Sequence, residues 1–253
     1  MGNQAKIIPI GNADEAQLRI DLAAAFRLAA RNGWHEAVAN HFSAAVSPDG
    51  KKFLVNPRWR HFSQIKASEL ILLDAGDDKT MDRPDAPDPS AWAIHSAIHR
   101  QLPQARVVLH LHPPYATALA ALKDPSILPV EQNTARFYNR IALDMNFGGI
   151  ATEAAEGERI ASTIGNRKVL MMANHGVTVI GRTVGEAFDN MYYLERAAQT
   201  MVLAASTGRE LNVMAPELAE ATATAWEDYA GADEAHFAEM KRLLDREGAD
   251  YAS

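Results

Sequence analysis

The run Val107-Val108-Leu109-His110-Leu111-His112 constrains this chain more than any other. Its β-branched and apolar residues read as a strand, and in a strand side chains two apart share a face. His110 and His112 therefore stand on one face with Val108, while Val107, Leu109 and Leu111 turn the other way into packing. Pro113 and Pro114 stop the strand at once, which leaves both imidazoles at its carboxyl end. In sheets flanked by helices, ligands gather at that end.

A third histidine closes a second apolar run, Met171-Met172-Ala173-Asn174-His175-Gly176, inside an Asn-His-Gly turn. Three imidazoles with an open position form a donor set that suits a divalent metal. Zinc is the first expectation, with manganese, cobalt and iron also compatible with nitrogen donors.

The rest of the chain reads as strands and helices in alternation, with hairpins among them. Leu18, Leu22, Ala25, Phe26 and Ala29 recur at helical spacing between Asp14 and Asn32, and Gly33 follows as a stop. Phe42 to Val46 and Phe53 to Val55 flank the turn residues Ser47-Pro48-Asp49-Gly50, a hairpin pattern. Leu70 to Leu73 reads as a short strand, and Asp74 to Pro89 as an acidic, proline-bearing loop whose acids are solvated. Ser90 reads as the N-cap of a helix to about Gln101. A helix follows from Pro114 to Leu122, then a strand near Ile141, a helix from Glu153 to Ile164 and two strands around His175. Thr183 and Glu186 read as a capping box opening a long helix to about Ser206. No repeat and no linker divides the 253 residues. They predict a single domain, a mixed, largely antiparallel sheet with helices on both faces in a three-layer α/β/α arrangement, and a helical extension at 211–253 that packs on its own subunit or reaches a neighbour, an assembly role being favoured slightly.

Composition excludes several functions. A net charge of -7 with no basic stripe argues against nucleic acid. The absence of cysteine removes thiolate chemistry and disulfides. Hydrophobic content of 47% is ordinary for a globular protein, and no segment approaches 18 uninterrupted apolar residues. Met1 to Ile7 carries no long apolar core, so the expectation is a cytoplasmic protein without a membrane partner.

Taken together, Pro89-Ser90-Ala91-Trp92, the strand ending His110-Leu111-His112, and Asn174-His175-Gly176 resemble the class II aldolase/adducin family of metal-dependent lyases. The resemblance runs from about Leu18 to Ser206. It implies His110, His112 and His175 as metal ligands, and a homo-oligomer, since family members commonly form cyclic tetramers with the site at a subunit boundary. A metal held this way stabilises the enediolate left when a neighbouring carbon–carbon bond breaks, the step common to aldol cleavage and decarboxylation.

The chain departs from the family where sugar-phosphate aldolases carry Ser-Ser-Glu. Here Ala91 replaces the glutamate, so the usual acid/base is missing. Their Thr/Ser-Gly-Asn phosphate loop is matched by Val38-Ala39-Asn40-His41, and their second loop by Asn56-Pro57-Arg58-Trp59-Arg60-His61. Arginines in place of small hydroxyls suit a planar carboxylate. Glu36 is the candidate replacement carboxylate, and His41 a candidate proton donor or substrate hydrogen bond. Arg58, Arg60 and Arg136, the last in the polar cluster Gln132 to Tyr138, are candidate substrate anchors. His95 and His99, at i and i+4 on a helix, read as packing or hydrogen-bonding residues beneath the site. The expected activity is decarboxylation of a small, non-phosphorylated hydroxy- or keto-carboxylate. The alternatives are an aldolase with a substitute base, a non-catalytic adducin-like assembly module, and a metal-dependent oxygenase.

Overall fold

The computed structural model describes residues 12–253; the Met1 to Ile7 stretch lies outside them. Seven strands form one sheet: β1 (His41–Ala45), β2 (Lys52–Val55), β3 (Ile71–Asp74), β4 (Val107–Leu111), β5 (Ile141–Asp144), β6 (Val169–Met172) and β7 (Gly176–Gly181). Their order is β3-β2-β1-β4-β7-β6-β5. Every pair is antiparallel except β5–β6. The predicted hairpin forms β1 and β2, with Ser43 opposite Val55. In its turn Asp49 accepts from the Ser47 hydroxyl at 2.6 Å and from Lys51 N–H at 3.1 Å.

Helices cover both faces. One carries α1 (Asn12–Arg31), α3 (Pro114–Ala120), α6 (Val184–Ser206) and α8 (Ala232–Arg246), and the other carries α2 (Pro89–Gln101) and α5 (Ala154–Ile164). The alternation within β4 decides which residue faces which layer. Val107, Leu109 and Leu111 join Phe26, Leu22 and Met191 in the larger core. Val108 turns to the opposite face, against Ile94 and Ile98 of α2 and Ile160 of α5. His110 shares that second face, as the period of two requires. The α2–α5 contact is unusually close. A Cβ on Gly157 would lie 2.0 Å from the Ala93 carbonyl oxygen, so only glycine lets the two backbones meet there.

Two capping expectations change in detail. The N-cap of α2 is Asp88, whose carboxylate accepts from Ser90 N–H at 2.9 Å, and Pro89 occupies the first helical position. A carboxylate two residues before the expected cap satisfies the same open N–H groups. At α6, Thr183 caps Glu186 N–H at 3.0 Å, but Glu186 reaches back to Arg182 N–H at 2.6 Å rather than to Thr183.

The segment after α6 packs on its own chain, one of the two placements expected of it. Its helices are α7 (Pro216–Glu227) and α8. Phe237, Leu244 and Tyr251 enter the main core because burying that apolar area outweighs leaving it in water. The carboxyl terminus is tied down as well, with Ala67 N–H and Ser68 N–H donating to the carbonyls of Tyr251 and Ser253 at 2.8 and 3.1 Å. Among the described residues no helix is long and apolar enough to cross a membrane.

Candidate metal centre

The sheet register builds the centre of the site. His41 lies opposite His110, and His110 opposite Thr178, so three side chains form a row across β1, β4 and β7. The His41 and His110 rings stack at 4.9 Å, and His110 Nδ1 lies 3.2 Å from the Thr178 hydroxyl. His112 stands just past the end of β4, and His175 on the short β6–β7 turn, where Asn174 takes a left-handed φ of 56°. The rings of His110, His112 and His175 lie 4.8–5.1 Å apart, centroid to centroid. One ring nitrogen from each falls within 4.8 Å of the others.

Those nitrogens suit a metal in their chemistry as well as their spacing. His112 Nδ1–H donates to Glu36 Oε2 at 2.8 Å, which leaves Nε2 as the free donor, and that atom is buried without a hydrogen-bond partner. Thr178 passes its own hydroxyl hydrogen toward Met172 Sδ at 3.4 Å, so it is placed to accept from His110 Nδ1–H. Imidazoles whose other nitrogen is held this way are oriented ligands. Burial, reinforced by neighbouring imidazoles, holds His110 well below the ordinary histidine range. Burial likewise pushes His175 down to about 4. Both rings are therefore neutral at physiological pH, the state a metal needs.

Gly176, adjoining His175, is part of the same construction. A Cβ there would sit 2.4 Å from His112 Cδ2 and 2.5 Å from the Leu111 carbonyl oxygen. The glycine of the Asn-His-Gly turn thus makes room for the His112 ring.

The other candidates divide. Glu36 reaches the centre through His112, with its side chain 58% exposed. His41 is there too, but buried; burial pushes it down to about 3, with the nearby Asp88 acting in the opposite direction. Arg58 is joined to His41 through two residues, Asp88 and Ser90. Its Nε is 3.5 Å from Asp88 Oδ2, while Asp88 Oδ1 accepts from the Ser90 hydroxyl at 2.6 Å and Ser90 Oγ is 3.2 Å from His41 Nε2. Arg60 is spent on Glu69 at 2.7 Å.

Arg136 lies elsewhere, away from the three histidines with which it was expected to act. At the end of α4 (Gln132–Arg136) it pairs with buried Asp189, bonds Asn190 Oδ1 at 3.2 Å, and lies over Tyr193 at 4.6 Å. It lines a cleft of about 870 Å³ with Lys168 and Arg182. Lys168 precedes β6 and Arg182 follows β7, whereas the histidines sit where β6 ends and β7 begins. The cleft and the triad therefore occupy opposite ends of the sheet. A buried aspartate needs a counterion, and Arg136 supplies it.

The family profile described as class II aldolase and adducin N-terminal domain matches residues 20–202. The chain belongs to the class II aldolase/adducin family. A Caulobacter vibrioides protein named for aldolase class 2 is 36% identical over 206 residues, 81% of this chain and 79% of that one. An aldolase II superfamily protein from Pseudomonas syringae superposes with a TM-score of 0.85 at 32% identity, over 94% of this chain and 96% of the other. The L-fuculose 1-phosphate aldolase of Glaciozyma antarctica superposes at 0.79 and 25% identity, covering 99% and 96%. Against that family background Ala91 is the notable position. It packs beside Phe53, Val55 and Leu73, in apolar surroundings where it offers no carboxylate to the histidine cluster.

Reasoning from sequence passed over Thr178, Ser43, Ser90 and Asp88. Thr178 and Ser43 are single hydroxyl residues on buried strands, significant only through register. Asp88 and Ser90 carried a readable capping signal, but nothing in it pointed toward His41.

Proposed function

We propose that this chain is a divalent-metal-dependent carbon–carbon lyase that decarboxylates a small, non-phosphorylated hydroxy- or keto-carboxylate. The observation that supports it most is the buried, unpartnered Nε2 of His112 facing two further imidazoles. His110, His112 and His175 would hold the ion, with zinc the first choice. When bound, it supplies a positive charge that offsets the negative charge developing on a substrate oxygen as the carbon–carbon bond breaks.

The chain's own groups divide the remaining work. Glu36 orients His112 through Nδ1, which directs Nε2 inward. Thr178 does the same for His110. Arg58 is the one arginine of the three tied to the site, through Asp88 and Ser90, and is the proposed carboxylate anchor. Decarboxylation needs such an anchor and no base to deprotonate an aldol hydroxyl, which accords with alanine at position 91.

A second reading has its own support. Glu36 stands at the metal centre and could serve an aldolase as its substitute base, and a structural relative is an L-fuculose 1-phosphate aldolase. An adducin-like scaffold is the third, and metal content separates it from both.

The test is a screen of hydroxy- and keto-carboxylates, with released carbon dioxide and released aldehyde followed in parallel. Carbon dioxide supports the first reading, and aldehyde alone the second. On the substrate so found, Arg58→Lys is expected to lower kcat/KM about tenfold or more, because lysine keeps the charge but loses one of two charge-assisted bonds worth roughly 1.5–3 kcal/mol each. Arg136→Lys should leave kcat/KM unchanged and lower thermal stability, because it disturbs contacts to Asp189, Asn190 and Tyr193 away from the histidines. Equal kinetics for Arg58→Lys and wild type would remove the anchor.

A further inference from the structure

Behind the metal centre lies a continuous chain of buried side chains that the lyase reading leaves unused. It runs from His41 on β1 through His95 on α2, back to Ser43 on β1, and again to His99 on α2. It ends at the Ala105 carbonyl in the turn before β4. The links are His41 Nδ1···His95 Nε2 at 2.7 Å, His95 Nδ1···Ser43 Oγ, Ser43 Oγ···His99 Nε2 at 2.7 Å, and His99 Nδ1···Ala105 O at 3.0 Å. All four side chains are buried.

A carbonyl oxygen can only accept, and that fact fixes the direction of every link. His99 must carry its hydrogen on Nδ1 to meet Ala105 O. Its ring being neutral, Nε2 is then bare and accepts the Ser43 hydroxyl hydrogen. Ser43 has spent its one hydrogen, so its oxygen accepts from His95 Nδ1–H. His95 Nε2 is bare in turn and accepts from His41 Nδ1–H. His41 is left with a bare Nε2. All three rings are buried and, among the described residues, none has a carboxylate in hydrogen-bond contact, so none is charged to donate from both nitrogens and break the sequence. Beyond His41 the Ser90 hydroxyl has one hydrogen and two neighbours, Asp88 Oδ1 at 2.6 Å and His41 Nε2 at 3.2 Å. The shorter, charge-assisted bond to Asp88 is the stronger of the two.

We propose that the Ala105 carbonyl, acting through His99, Ser43 and His95 as positioning residues, holds His41 in the Nδ1–H tautomer and presents its Nε2 beside His110 as a hydrogen-bond acceptor. With the Ser90 hydrogen committed to Asp88, that acceptor is left for a substrate hydroxyl that reaches it. Of the two roles expected of His41, proton donor or substrate hydrogen bond, this arrangement supports the second. The service of His41 to a substrate rests on the lyase reading; the direction of the chain does not.

Ring tautomers are read directly by nitrogen-15 correlation to the carbon-bound imidazole protons, on the full chain incubated with zinc. His41, His95 and His99 should each give the Nδ1–H pattern, and an Nε2–H pattern at any of the three overturns the proposal. Ser43→Ala removes the middle link, and the single-tautomer pattern should be lost at His95 and His41 while zinc content stays at the wild-type level. An unchanged His41 pattern in that variant would show that something other than the chain sets it. Should Ser43→Ala not fold, the wild-type spectrum alone decides. Zinc measured on the same samples keeps the readings apart, since absent zinc with the three Nδ1–H patterns intact counts against the metal reading only.

Discussion

Replacing His112 with alanine is expected to lower zinc affinity by more than about 100-fold and leave the fold intact. Loss of a group that merely orients a metal-binding histidine costs 10–100-fold, so loss of a ligand should cost more. The fold should tolerate the change because His112 lies beyond the last residue of β4 and contributes to neither core cluster. Removing it also frees Glu36, which is half exposed and returns to water at little cost. Metal titration and a thermal melt on the same preparation check both parts. Wild-type affinity in His112→Ala would mean that the imidazole is no ligand.

Gly157→Ala is expected to have the largest effect on stability of any single methyl added to this chain, about 3 kcal/mol or more. Overpacking in a tight core ordinarily costs about 1–3 kcal/mol, with neighbours yielding a little. Here the neighbour is backbone. The added carbon would overlap the Ala93 carbonyl at 2.0 Å and crowd the Ala97 methyl at 3.2 Å, so α2 and α5 must separate. Alanine's better helix propensity returns only about 1 kcal/mol. Because α2 carries His95 and His99, separation should also disturb the tautomer pattern of the buried chain. Denaturant unfolding of the variant measures the loss, and a midpoint within error of wild type would refute the close contact.

The parts of the molecule legible in the sequence are those set by local rules. Period-two alternation placed Val108 and His110 on one face and Leu109 and Leu111 on the other. Pro113 and Pro114 ended β4 as expected, and Ser47 to Gly50 made the hairpin. What was hidden depends on register and on distance across the sheet. That His41 faces His110, which faces Thr178, is a property of three paired strands and of none alone. The surroundings of Arg136 were hidden for a related reason. Its polar neighbours suggested a cleft, and there is one, but the buried Asp189 that claims the guanidinium lies 53 residues further along the chain. The placement of the carboxyl-terminal helices stayed open because amphipathic spacing does not say which surface will cover the apolar stripe, and α6 of the same chain covers part of it.

The convergence of three histidines on one ion carries the whole account, and X-ray absorption at the metal edge tests it most directly. Wild-type protein loaded with zinc should bind one ion per chain. Its spectrum should fit three imidazole nitrogens at about 2.0–2.1 Å, with a further oxygen from water. His175→Ala should drop the fitted nitrogens from three to two. A wild-type preparation that binds no zinc, manganese, cobalt or iron at stoichiometry, or a zinc site fitted by oxygen ligands without imidazole, would contradict it.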